Sequence, residues 1–313
     1  MPQKSKPRPR HIPPPGWVDP LRQQQPLVSH RWLLRALVIS LAAAAVCGYL
    51  TVCLLFWQGS WQLIFHPVST VATTPASVGL PFEDVRFFAT ETGQPQLNGW
   101  WIPAAPDARY SRSTILYLHG AAGSLSNTLP DLQALHALGI NVFAIDYRGY
   151  GKSLFLRPSE QTVSDDADAA IFYLTNTRAL NPASILLYGQ GLGATIAAGA
   201  AQRHPQTSAL ILENPAPTAL EQVAADRRTS LLPVRLLFSD RFDLAPILQN
   251  LKTPKLLIEC PSSPADPTLK TRMQQLFQLA ASPKTFAEIP ADQASSTNYS
   301  ETLHRFLDEI PQH

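Results

Sequence analysis

The stretch Leu186 to Gly199, LLYGQGLGATIAAG, reads as a buried strand, a sharp glycine turn and a helix of small residues. A turn of this kind, G-x-S-x-G, presents a serine hydroxyl for attack on an acyl carbon, with a histidine base and an acid supplied from later loops. Here the five positions are Gly189, Gln190, Gly191, Leu192 and Gly193, so glycine stands where the serine would. Glycine offers no nucleophile. It does visit positive φ freely, in a region where an ordinary residue is strained by about 1–3 kcal/mol. The glycine therefore removes the chemistry and relaxes the turn. The same residues approach the dinucleotide fingerprint G-x-G-x-x-G, but Ala194 occupies the place of the third glycine. The stretch also follows four or more expected strands, whereas that fingerprint opens the first strand-to-helix turn. Nucleotide binding is set aside on that misfit.

The elements that must position this turn are legible as alternating patterns. FEDVRFFA and LNGWWIP form an expected hairpin. STILYLHG, INVFAIDY, ASILLYGQG, SALILENP, KLLIECP and KTFAEIP read as buried strands. Helical stretches are expected over 130–138, 159–177, 193–203, 268–281 and 300–310. Strands with near-continuous apolar runs, alternating with helices, imply a mostly parallel sheet covered on both faces, an α/β architecture.

Ahead of this domain the composition changes. Residues 1–31 form a proline-rich, basic tail without helical or strand period, read as disordered. Residues 1–35 hold seven Lys or Arg against one acid, Asp19, and the remainder of the chain carries a net charge of −4. The whole chain is only +2, which gives no electrostatic footprint for nucleic acid. Ala36 to Trp57 is a run of 22 residues without a charge. As a helix it spans about 33 Å, enough for a hydrocarbon core of about 30 Å. Trp32 flanks one end and Phe56, Trp57, Trp61 and Phe65 the other, as interfacial aromatics do. The run is too long for the apolar core of a secretory signal and has no A-x-A site at its end. An uncleaved single-pass anchor over 32–58 is expected, with the basic N-terminus in the cytoplasm and the domain outside it, in the periplasm of a Gram-negative cell. Residues 59–78 are then a linker and 79–313 the domain. Cys47, Cys53 and Cys260 show no metal or disulfide spacing and read as apolar fillers.

Six motifs in order carry a resemblance: LIFHP (63–67), LYLHGAAGS (116–124), IDYRGYGKS (145–153), LYGQGLGA (187–194), LILENP (210–215) and LLPVRLLFSDRFD (231–243). Residues 56–307 resemble the small, cap-less, membrane-anchored serine hydrolases of the α/β-hydrolase superfamily, of the bud-emergence and depalmitoylase type. The resemblance implies an α/β-hydrolase fold and three catalytic positions. The nucleophile position is Gly191. Matching Pro267 to the last proline of the family's G-x-x-D-x-x-V-P loop puts Ser263 at the acid position. The base should lie in ADQASSTNYS, where Gln293 or Ala294 falls. None of these can replace serine, aspartate and histidine. Backbone donors of an oxyanion hole would map to Ala121 and Leu192, with the helix after Gly193 adding positive dipole.

Displaced replacements have no obvious source. His119 belongs to the His-Gly turn, His136 and His204 to helix surfaces, and His304 to the final helix. Asp266, Ser124 and Ser126 are the remaining acid and hydroxyl candidates. Asp146 and Arg148 are expected to tie a strand end to its neighbours. Asp165, Asp166 and Asp168 are expected to begin a helix, where acids complement its dipole, and not to form a metal site. No cofactor is implied. Two function classes follow: a non-catalytic membrane-held module binding an acyl or carboxylate ligand or a protein partner, and a hydrolase of esters, thioesters or peptides using displaced residues.

Overall fold

The computed structural model describes Gly16 and residues 29–89, 93–94, 96–260, 268–290 and 295–311. The chain divides into two compact units, Met1–Leu54 and Leu55–His313. Most of the described residues of the first unit lie in helix α1 (His30–Gly59), which is long and apolar enough to cross a membrane and exposes nearly all its apolar side chains. Its 30 residues match the expected span with a turn to spare.

In the second unit, strands β2 (Glu83–Phe87), β3 (Leu97–Ile102), β4 (Tyr110–Leu118), β6 (Ile140–Asp146), β7 (Ile185–Gln190), β8 (Ala209–Glu213), β9 (Lys255–Glu259) and β10 (Lys284–Glu288) form one sheet in the order β10-β9-β8-β7-β4-β6-β3-β2. Only β3 runs against the others. Successive residues of β4 feed opposite cores: Ile115 and Tyr117 one, Leu116 and Leu118 the other. This period of two is why the strand reads as a continuous apolar run: both faces are covered. The result is the mostly parallel sheet that the alternation of elements implies, in the α/β-hydrolase fold that the resemblance implies.

Helices α2 (Leu129–His136) and α9 (Ser295–Asp308) cover the face of Ile115 and Tyr117. α9 buries Leu303, Phe306 and Leu307, followed by Ile310, a stripe at helical spacing. The other face holds α3 (Glu160–Phe172), α4 (Leu192–Arg203), α7 (Leu244–Asn250) and α8 (Leu269–Leu279). Ten of the twelve residues of α4 are buried, and most are Gly or Ala, which lets the helix axis approach the sheet. Two short helices, α5 (Ala219–Ala225) and α6 (Val234–Leu237), complete that side. None of α5, α6 and α7 is among the helices expected from sequence. A capping box does mark the start of α5: Thr218 Oγ1 accepts from Glu221 N–H, and the Glu221 carboxylate accepts from Thr218 N–H.

The aspartates of α3 require a correction. Its first turn carries Glu160, behind Ser159 as N-cap. Asp166 lies well inside the helix, fully buried, and takes both the backbone N–H (2.7 Å) and the guanidinium Nε (2.5 Å) of Arg148. Asp168 is held by Arg203 and His204. These acids are there for partners in the folded unit, not for the helix dipole.

Residues 59–78, expected as a linker, are built into the domain. Ile64 and Phe65 are buried, and β1 (His66–Pro67) pairs in parallel with β5 (Ala122–Gly123).

Candidate functional site

Strands β7 to β10 are parallel, so their C-terminal ends share one edge of the sheet, and the glycine turn sits there between β7 and α4. Gly191 has φ 58° and ψ −117°. Its conformation is fixed by backbone alone: its N–H donates to Glu213 O (2.9 Å), and its carbonyl accepts from Ala194 N–H (3.3 Å) and Ala216 N–H (3.1 Å). A Cβ built on Gly191 would meet nothing nearer than Gly120 Cα at 3.8 Å. That is an ordinary van der Waals contact, so among the described residues only the positive φ opposes a Cβ there.

The flanking glycines are different. A Cβ on Gly189 would press into the backbone of Gly193 and lie 2.6 Å from Ala194 Cα. A Cβ on Gly193 would lie 2.6 Å from His119 O and closer still to Leu118 O. These two glycines are what lets α4 start directly against β7 and β4.

The second turn of the site follows β4. His119 is buried, and its Nδ1 stands 2.7 Å from Gly120 O, so Nδ1 carries the hydrogen that this carbonyl accepts. That carbonyl belongs to the same peptide as Ala121 N–H, so the imidazole orients one of the two expected oxyanion donors. The next carbonyl, Ala121 O, accepts from His66 N–H (2.9 Å) and the Tyr150 hydroxyl (2.7 Å). Leu192 N–H opens α4 immediately after Gly191. The structure thus brings Gly189, Gly191, Leu192, Gly193 and the His119–Ala121 turn together. Ser263, Asp266, Gln293 and Ala294 lie outside the described residues.

Behind His119 is a closed pair. Its Nε2 is 3.6 Å from Asp146 Oδ1, and both side chains are 1% exposed. Burial lowers the imidazole to about 4 and raises the Asp146 carboxyl to about 7. Asp146 Oδ1 also accepts Leu125 N–H (2.9 Å), which ties the strand end to the neighbouring turn as expected. With no solvent access, this pair serves the architecture of the turn. The other hydroxyl and histidine candidates are dispersed. Ser124 is buried. Ser126 bonds Thr73 O (2.8 Å), His136 contacts Pro103 O (3.0 Å), and His304 packs on the Tyr110 ring.

Sequence reasoning missed a polar cluster under the elbow. Gln190 Nε2 donates to Asp131 Oδ2 (3.2 Å) and Glu213 Oε1 (3.1 Å), while its Oε1 accepts from the Tyr117 hydroxyl (3.2 Å). Tyr188 donates to Glu213 and shares a 2.7 Å contact with the Tyr299 hydroxyl. Burial raises both carboxyls. Buried carboxyls and amides must be paired, and here the pairing locks the last residue of β7 to β8 and α2. No sequence spacing announces it, because its members come from five elements.

Comparison with known proteins agrees with this geometry. Residues 109–289 match the profile of the family described as serine aminopeptidase, S33. An uncharacterized protein of Mycobacterium tuberculosis is 33% identical over 253 residues, covering 81% of this chain and 85% of the relative. Protein bem46 of Schizosaccharomyces pombe is 42% identical over 106 residues, covering 33% of this chain and 35% of its own. Among solved structures, the Pyrococcus furiosus esterase Pf2001 superposes with a TM-score of 0.59 at 19% identity, over 79% of this chain and 97% of the esterase, a likeness of fold.

Proposed function

The chain belongs to the serine aminopeptidase S33 family of α/β-hydrolases, and from that premise we propose that it is a membrane-anchored, non-catalytic member acting by binding. One observation carries the reading. At the turn where the family presents its nucleophile stands Gly191, in the backbone conformation of an elbow, where a Cβ would make only an ordinary van der Waals contact with Gly120 Cα. Serine is absent although no described atom bars its Cβ. Attack on an acyl carbon needs a side-chain nucleophile within about 2.6–3.2 Å of its base, and residue 191 has neither Oγ nor Cβ. The backbone donors do not depend on side chains. Ala121 N–H and Leu192 N–H, at the N-terminus of α4, suit a carbonyl, a carboxylate or the head group of an acyl chain.

A fluorophosphonate probe tests this on the full-length chain. The expected result is no covalent labelling. Stoichiometric labelling of any serine, located by mass spectrometry, overturns the reading and identifies a displaced nucleophile. Gly191→Ser alone is expected to leave p-nitrophenyl ester hydrolysis at the wild-type level, because a hydroxyl without a base stays neutral near pH 7. It should also lower stability by about 1–2 kcal/mol, since it returns a side chain to positive φ. Ester turnover in this single variant, sensitive to serine-directed inhibitors, would mean that a working base is already in place.

The anchor is α1. Seven basic residues before Ala36 and a charge-free run after it support a cytoplasmic N-terminus and an extracytoplasmic domain. A reporter that is active only outside the cytoplasm, fused after His313, should be active; activity of a cytoplasm-only reporter there would reverse the orientation.

A further inference from the structure

Among the described residues of the second unit, Phe155, Leu231 and Leu236 are the most exposed large apolar side chains, at 84%, 84% and 83%. They lie on two segments far apart in sequence, and both segments are fastened around the point where α1 ends. Arg157 Nη2 donates to Trp57 O (3.3 Å) in the last turn of α1. Three residues on, the Glu160 carboxylate accepts the backbone N–H groups of Arg241 (2.7 Å) and Phe242 (3.1 Å). Phe242 packs edge-on against Phe65, with centroids 5.7 Å apart. Leu220 and Leu232 join the same core as Phe56, Trp61 and Leu63. The exit of the helix, the 154–157 loop and the 231–242 segment therefore belong to one side of the domain.

The apolar tips are held out by their surroundings. Leu154 is pinned at both backbone groups, its N–H to Gln96 O and its carbonyl to Gly149 N–H, each at 2.8 Å. Val234 in α6 and Phe238 just after it turn into the core while Leu236 stands in solvent. Exposed arginines lie close to them in sequence: Arg157 in the loop, Arg235 in the 231–242 segment, and Arg227 and Arg228 just before it, with Arg228 paired to Asp226. Apolar tips flanked by arginines match the interfacial zone of a bilayer, where apolar groups enter the acyl boundary and guanidinium groups meet anionic heads.

We propose that this side of the domain rests on the bilayer, with Phe155, Leu231 and Leu236 inserted at the headgroup–acyl boundary and Arg157, Arg227 and Arg235 against anionic headgroups. The inference rests on the reading of α1 as a membrane anchor. Three tips and a few arginines would bind vesicles weakly from free solution. The anchor supplies the effective concentration that makes weak contacts sufficient. Two points of attachment, helix and patch, then fix the tilt of the domain as well as its distance from the membrane.

The test uses the full-length chain in phosphatidylcholine–phosphatidylglycerol vesicles carrying nitroxide lipids. The native cysteines are replaced, and one fluorophore is placed through Phe155→Cys, Leu236→Cys or, as control, Glu301→Cys. Glu301 is exposed on α9, across the sheet from the helix exit. Quenching is expected to be several-fold stronger at 155 and 236 than at 301. It should weaken without phosphatidylglycerol or with Arg227→Glu and Arg235→Glu together. Equal quenching at all three positions, in a chain that resists carbonate extraction, overturns the inference and leaves the anchor standing. Release by carbonate overturns both. The unmodified chain gives a second readout: tryptic cleavage after Arg235 should be several-fold slower in vesicles than in amphipol. Equal rates, or protection that grows with protein concentration in amphipol as a second copy would cause, overturn the inference.

Discussion

Gly193→Ala should leave the domain unfolded or barely folded. The added methyl would sit 2.6 Å from His119 O and closer to Leu118 O, backbone atoms at the end of the central strand β4 and in the turn after it. No rotamer change relieves that contact; α4 must move away from β4, taking with it a helix whose residues are almost all buried. Overpacking of this kind costs about 3 kcal/mol or more. Gly189→Ala meets the same obstacle at the backbone of Gly193 and Ala194. Gly191→Ala is the control, because its Cβ makes only an ordinary van der Waals contact and its cost is the positive φ alone, about 1–2 kcal/mol. Denaturant midpoints of the three variants in detergent should separate into one mild and two severe losses. Comparable losses for all three would mean that the elbow is not packed as described.

The buried pair of His119 and Asp146 makes a prediction about pH. The folded pKa of Asp146 is raised to about 7 from 3.8, so its contribution to stability is full below about pH 4 and is lost as pH rises towards 7. The folded pKa of His119 is lowered to about 4 from 6.5, so its contribution is full above about pH 6.5 and is lost as pH falls towards 4. Between pH 4 and 6.5 the two slopes oppose one another, and the pair as a whole is nearly indifferent to pH. Removing either partner exposes the other. Asp146→Asn keeps an acceptor for Leu125 N–H and should make stability rise, relative to wild type, by about 1.4 kcal/mol per pH unit across the window. His119→Asn keeps a donor for Gly120 O and should make it fall by a similar amount. Because each variant is compared with wild type, the other buried carboxyls cancel. Parallel curves for all three proteins would show that the pair does not divide one proton in this way.

What the sequence made legible was what repeats or what chemistry constrains. β4 alternates its side chains between two cores, so its apolar run is long and unmistakable. The glycines at 189 and 193 are demanded by backbone contact, and they mark the elbow even without the serine. Other features leave no local trace. β1 and β5 are two residues each, too short for a period. α5 to α7 are short and interrupted by Pro233 and Pro246, and only the capping box at Thr218 and Glu221 announces one of them. Asp131, Gln190, Glu213 and Tyr299 meet only through tertiary packing, so no spacing links them. Asp166 reads as a helix-start acid until its distance from Ser159 is counted and its partner Arg148 is found.

The pairing of β1 with β5 bears on whether the domain can be shed. Proteolytic release from a membrane usually presumes a disposable stalk. Here only Ser60 to Leu63 separate the end of α1 from the buried pair Ile64 and Phe65, and His66 then bonds the carbonyl of Ala121. A cut within those four residues would free a domain that keeps its strand and the 119–121 turn. A cut after Val68 would strip two core side chains and the hydrogen bond that His66 gives to Ala121. A cut within this four-residue window thus keeps the pairing of β1 with β5 whole, and a cut beyond His66 takes that pairing apart.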